Sequence, residues 1–208
     1  MSLTIQASAN SSREFEIAPA GNHVAICYAM VDLGHQKTMY RNRDTGVEEE
    51  KLQHKAYIGW ELCNEPMADG RPFMVSRQLT MSLHEKATMR AILESWRGRP
   101  FTDDELTGFD LKNILGKPCM VNVVHNTAKN GKTYANIASV AAIPKGMPVP
   151  EQTNSTLLFE FGDMGFDESA FNALPQWMQS KIMESKEYRD MTNDAPVEGP
   201  AFDDDIAF

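Results

Sequence analysis

A mainly β fold with inserted helices, closing as a small barrel, is what this sequence predicts, on three observations. β-prone segments, alternating or continuous, recur between residues 22 and 161. One long helical pattern separates the third from the fourth. Asn130-Gly131 sits between two β-prone arms, and Asn-Gly is the dipeptide of a tight, positive-φ turn. The 208 residues suit about one domain. With 42% hydrophobic and 24% charged residues, a single core is within reach.

The elements follow in order. Residues 1–20 are rich in Ser, Ala and Asn without a period, and read as a loose N-terminal arm. "HVAICYAMVDL" is a long β-prone run from His23. "HKAYIGWELC" alternates: Ala56, Ile58, Trp60 and Leu62 take the buried side, and Lys55, Tyr57, Gly59 and Glu61 the open one. "RPFMVSRQLTMSL" follows the turn signal "ADG". "LHEKATMRAILESWRG" places Leu83, Ala87, Ala91 and Trp96 on one helical stripe that Gly98 ends. "FTDDELTGF" has Thr102 as N-cap and Glu105 three residues on, a capping box. "GKPCMVNVVHNTAKNGKTYANIASVAAIP" reads as the hairpin, and "TLLFEF" as a further strand. "DESAFNALPQWMQSKIMES" is helical, kinked or broken at Pro175. From about residue 190 the chain is rich in Asp, Pro, Gly and Ala, a composition that predicts disorder.

Five strands with a helix between the third and fourth are the layout of an OB-fold barrel. The expected organisation is an arm over 1–20, an OB-fold domain over 21–165, a helical segment over 166–189 and a disordered acidic tail over 190–208. No apolar run has membrane-spanning length. The first residues lack the basic start and apolar block of a secretion signal, so a cytoplasmic location is expected.

Net charge is −9, but it is divided unevenly. Beyond Arg189 there is no Lys or Arg, while Asp190, Asp194, Glu198, Asp203, Asp204 and Asp205 contribute −6. Residues 23–147 carry sixteen Lys and Arg against fourteen Asp and Glu. This asymmetry suggests a binding body with an acidic tail.

Catalytic motifs are absent. Gly131-Lys132-Thr133 resembles the end of a phosphate-binding loop, but Asn126 stands where that loop needs glycine. There is no HExxH, GxSxG or GxGxxG. Asp103 and Asp104 begin a helix, where acids suit the dipole. His84 and His125 are isolated and read as structural or solvated. Cys27, Cys63 and Cys119 are too few and too widely spaced for a disulfide framework. His23, Cys27, Cys119 and His125 could meet as a zinc site, although buried thiols are the simpler reading. Neither enzyme activity, nor cofactor, nor metal is expected.

Single-stranded nucleic acid needs cations for phosphates and flat side chains for bases. Cations and aromatics are interleaved here on segments read as open. Tyr40, Arg41 and Arg43 lie in "MYRNR"; Lys55 and Tyr57 share a strand side; Arg71, Phe73 and Arg77 lie in "GRPFMVSR". Lys117, Lys129 and Lys132 flank the hairpin, and Lys132 and Tyr134 share a side of its second arm. Each alone has a plain reading as a β-former beside a solvated charge. Trp60 and Trp96 belong to the core.

"FDDDIAF" resembles the acidic tip of bacterial single-stranded DNA-binding proteins, which ends Asp-Asp-Asp-Ile-Pro-Phe; here Ala207 replaces the proline. The resemblance implies that Asp203, Asp204, Asp205, Ile206 and Phe208 recruit replication, recombination and repair proteins. The body is similar to divergent phage-encoded single-stranded DNA-binding proteins over "GNHVAICYAMVDLG", "IGWEL", "LESWRGRPFT", "FDLKNILGKPC" and "NGKTYANIASV". That similarity implies an OB-fold protein that coats single-stranded DNA without sequence specificity during phage replication or recombination, in the bacterial host's cytoplasm. Two alternatives remain open: an OB-fold interaction module with secondary DNA contact, and a strand-annealing protein. Self-association is compatible with all three.

Overall fold

The computed structural model describes residues 16–41, 46–162 and 166–193. The acidic tip Asp203–Phe208 and Arg43 lie outside them.

Strand β1 (Gly21–Arg41) organises the molecule, because it pairs with three others. Gly21–Ile26 pair with β4 (Pro118–Thr127), and Ala25–Arg41 with β2 (Glu48–Pro66), both antiparallel. Ala29–Val31 pair in parallel with β6 (Leu157–Phe159). Serving several partners requires the strand to turn, and irregularities between Cys27 and Ala29 and between Asp32 and Gly34 provide the bends. With β3 (Pro72–Thr80) and β5 (Thr133–Ala141) the order is β3-β2-β1-β4-β5. This is a mainly antiparallel sheet of six strands among the described residues. No ladder joins edge strands β3 and β5 there, so the sheet is open. Across the gap Arg77 Nη1 donates to the Ile137 carbonyl at 3.4 Å.

The interposed helix is present as α1 (Thr88–Arg97), but its register differs from the expected stripe. Met89, Ile92, Leu93 and Trp96 are buried, and Ala91 is exposed. Bulk explains the rotation: burying four large side chains gains more than burying alanines. Residues 82–87 precede the helix as turns in which His84 accepts from the Lys86 and Ala87 N–H groups. Helix α2 (Asp103–Thr107) has both halves of the capping box. Gly131 has the expected positive φ, 79°.

The inner side of the sheet packs on α1, with Trp60, Ile58 and Leu62 fully enclosed. The outer side of β1 and β2 is covered too. Helices α3 (Glu168–Asn172), α4 (Gln176–Met183) and α5 (Lys186–Asn193), with β6, bring Phe159, Phe171, Met178 and Ile182 against Ala29, Val31, Leu33 and Tyr57. Pro175 therefore separates two helices rather than kinking one. Residues 190–193, expected to open the tail, form the last part of α5. There Thr192 Oγ1 donates to the Tyr188 carbonyl at 3.0 Å.

Two features fix this cover. Gly34 has φ 68°, and a Cβ there would lie 2.6 Å from Ser185 Cβ and Glu187 Oε2, so only glycine admits the close approach of α5. Glu61, 1% exposed, accepts from the backbone N–H groups of Thr153 and Asn154 at 2.6 and 2.7 Å and from Asn154 Nδ2 at 2.7 Å. A buried carboxylate with three donors pins the segment leading into β6.

Residues 16–20, expected in the loose arm, lie against the sheet. Ala18 is buried, and His125 Nε2 and His23 Nε2 lie 2.8 and 2.9 Å from the carbonyls of Ala18 and Pro19. No described helix is long and apolar enough to cross a membrane.

Candidate nucleic-acid interface

The part of β2 that precedes Tyr57 is where the sheet emerges from its cover. Along β2, Lys51, Gln53, Lys55, Tyr57 and Glu61 share one side, with Gly59 between the last two. The C-terminal elements bury Tyr57 and Glu61 but leave Lys51, Gln53 and Lys55 uncovered. These three line a groove of about 540 Å³ with Arg77, Gln78 and Thr80 of β3 and with Ser82, His84 and Lys86 of the following turn. No carboxylate lines it. Lys55 Nζ donates to Gln53 Oε1 at 2.7 Å and Thr80 Oγ1 at 2.8 Å, both neutral acceptors. Burial holds its pKa below the ordinary lysine value. A bound anion favours the charged form and works against that shift.

The groove reaches a second open surface through Arg77, which bridges to Ile137 of β5. Further along β5, Tyr134 is 47% exposed beside exposed Asn136, while Ile137 faces the core. Lys129 and Lys132 are exposed at the hairpin turn. Lys132, Tyr134 and Asn136 thus stand clear of the core, on the side the alternation indicates.

Other expected contacts fall elsewhere. Tyr57 has the expected side of β2, but it is 8% exposed and lies under α4, with Trp177 edge-on at 5.5 Å. Phe73 is 9% exposed and belongs to the inner core, because it alternates inward with Val75 and Leu79. Neither ring is open for a base to stack on. Arg71 is exposed but doubly bonded to Asp69 Oδ2, at 2.8 and 2.6 Å, and this pairing holds the Asp69 carboxyl below its usual pKa. Tyr40 and Arg41 occupy the far part of the arm, where Tyr40 donates to Glu49 and Arg41 Nε to the Gly46 carbonyl at 3.1 Å. Lys117 is exposed at the start of β4, beside the pocket of Arg97, Arg99 and Glu105.

The groove includes residues that sequence reasoning missed. Lys51 and Gln53 extend the alternation through Lys55, and this spacing could have disclosed them. Lys86 carries no such signal, since its place depends on the turn before α1.

The four residues weighed as a zinc site do not form one among the described residues. Cys27 and Cys119 are buried, and burial pushes the Cys27 thiol up to about 12. His23 and His125 are engaged with backbone carbonyls. Among the described residues no group of His, Cys, Asp and Glu is placed to hold a metal. A third cluster brings His54 Nε2 to Asp32 at 2.7 Å, with His35 stacked on His54 and paired to Glu187. It ties α5 to β1.

No protein-family model matches this chain, and no curated protein matches it at a significant level.

Proposed function

We propose that this protein binds single-stranded DNA without sequence specificity, as a phage-encoded protein of DNA replication or recombination. The observation that carries the reading is the carboxylate-free groove of Lys51, Lys55, Arg77 and Lys86. Three ammonium groups and a guanidinium around one open channel suit a run of phosphates. The layout adds support: the order β3-β2-β1-β4-β5, with α1 between β3 and β4, is that expected of an OB-fold whose edge strands β3 and β5 approach. The groove opens at β2 and β3, the strands that bind oligonucleotides in that fold.

The acidic segment Asp203–Phe208 recruits partner proteins and, when they are absent, competes with DNA for the groove. The uneven charge along the chain motivates this part.

The test is a titration of the full chain with labelled oligo-dT at several salt concentrations. Affinity should fall as salt rises, with a linear log–log slope. Binding no tighter than to an unrelated polyanion of equal charge overturns the proposal. Deleting Asp203–Phe208 should raise affinity most at low salt, where charges are least screened. An unchanged or lower affinity removes the competition.

A further inference from the structure

The C-terminal helices hold an aromatic side chain that the basic groove lacks. Tyr57, which pairs with Gln78 of the groove, lies two residues from Lys55 on the same side of β2, about 7 Å along the strand. Its ring and that of Tyr28 lie over Gly59: a Cβ at Gly59 would sit 3.2 Å from each ring and 3.0 Å from Ala29 Cβ. With no side chain at position 59, the two tyrosines settle onto the strand as a floor. Trp177 of α4 meets Tyr57 at 5.5 Å, with planes 66° apart. Tyr57 is 8% exposed, whereas Trp177 is 45% exposed. Trp177 thus offers a large ring to solvent beside a buried aromatic floor.

We infer that Trp177 is a base-stacking residue of the DNA site, taking a nucleobase where the strand leaves the Lys51–Lys55 groove. The inference rests on the single-stranded DNA reading and deepens it. The occupant is a base because the neighbouring groove is cationic and free of carboxylates, so the strand's phosphates and its bases find partners side by side. The helical segment after β6 then covers the sheet and also contributes to the site.

The three tryptophans make the test direct. Trp60 is 0% and Trp96 5% exposed, so quenching of tryptophan emission by oligo-dT should report Trp177. Trp177→Ala in the full chain should lose the quenching and weaken oligo-dT binding by about 5- to 150-fold. Trp177→Phe should recover part of the affinity. An abasic oligonucleotide of equal length should bind the wild type and Trp177→Ala alike, which a merely structural role would not produce.

If Trp177→Ala binds oligo-dT as tightly as the wild type, while a Lys51→Ala/Lys55→Ala double variant binds weakly, the stacking role is overturned and DNA binding stands. Failure of the wild type to bind overturns both. Equal weakening of Trp177→Ala on abasic and normal strands also overturns the stacking role.

Discussion

Two clusters of cations lie at opposite ends of α1, and they differ in their neighbours. In the groove, Lys55 bonds glutamine and threonine, Arg77 bonds a backbone carbonyl, and no carboxylate shares the lining with them, Lys51 and Lys86. On the other side, Arg97 and Arg99 converge on Glu105, with Arg99 Nη2 2.7 Å and Nη1 2.9 Å from its two oxygens. The Arg97 guanidinium also lies 4.4 Å from the Phe101 ring centroid and 5.1 Å from that of Phe109. Cations beside aromatics occur in both sequences. Only the first cluster leaves its charge unspent, so only the first suits a polyanion. Availability of a cation is set by where the carboxylates fold.

The largest expected effect breaks the comparison at the groove. A Lys51→Ala/Lys55→Ala/Lys86→Ala variant should bind oligo-dT on the order of 100-fold more weakly at 0.1 M salt, with the log–log salt slope flattened by about 2. Arg99→Ala should leave both quantities unchanged. Anisotropy titrations across salt concentrations measure both. Equal losses from the two variants would show that the Glu105 pairing does not distinguish the clusters.

How much of this was legible depends on the range of the interaction. The inward set Ala56, Ile58, Trp60 and Leu62 was readable from alternation alone, and all four are at most 1% exposed. The Asn130-Gly131 turn and the Thr102–Glu105 capping box were likewise local. The side of Tyr57 is legible, but its burial comes from β6 and the C-terminal helices, about a hundred positions and more away, and no local pattern announces that. Phe73 is a different case: its alternation with Val75 and Leu79 was available and pointed inward. Arg71 had its neutralising Asp69 two residues away, also in plain view. Of the candidate site, Lys55 and Arg77 were named from sequence. Lys51 follows from the same alternation as Lys55, whereas Lys86 and Trp177 needed the fold.

A smaller effect concerns the stability of the neutralised cluster. Hydrogen bonds from Arg99 first, and from the Thr102 N–H and Arg97, hold Glu105 well below the ordinary carboxylate value, at about 2. A depressed folded pKa contributes stability that is fully present above about pH 4.5 and is lost as pH falls toward 2. Glu105→Gln keeps an oxygen for the Thr102 N–H, while it removes the charge and replaces the oxygen facing Arg97 and Arg99 with an NH2 donor. Its melting temperature should lie below the wild type's at pH 7, and the gap should close between pH 4.5 and 2. A gap that persists unchanged at pH 2 would assign the effect to capping rather than charge.

The smallest effect sharpens the comparison from the other side. Glu105→Gln also frees Arg97 and Arg99, turning the shelf that holds Lys117 into a second carboxylate-free patch. If carboxylates alone withhold these arginines from DNA, the variant should bind oligo-dT severalfold more tightly at low salt, with a slope steeper by up to about 1.4 for two added contacts. The gain should vanish at high salt, where exposed charges are screened. Arg97 is the weaker contributor, since its guanidinium stays engaged with Phe101 and Phe109. Most of the gain should therefore disappear in Glu105→Gln/Arg99→Ala. If Glu105→Gln gains nothing at low salt, geometry matters more than free charge: the groove binds because its cations are aligned along one channel, and the shelf does not because its arginines point into their own aromatic shell.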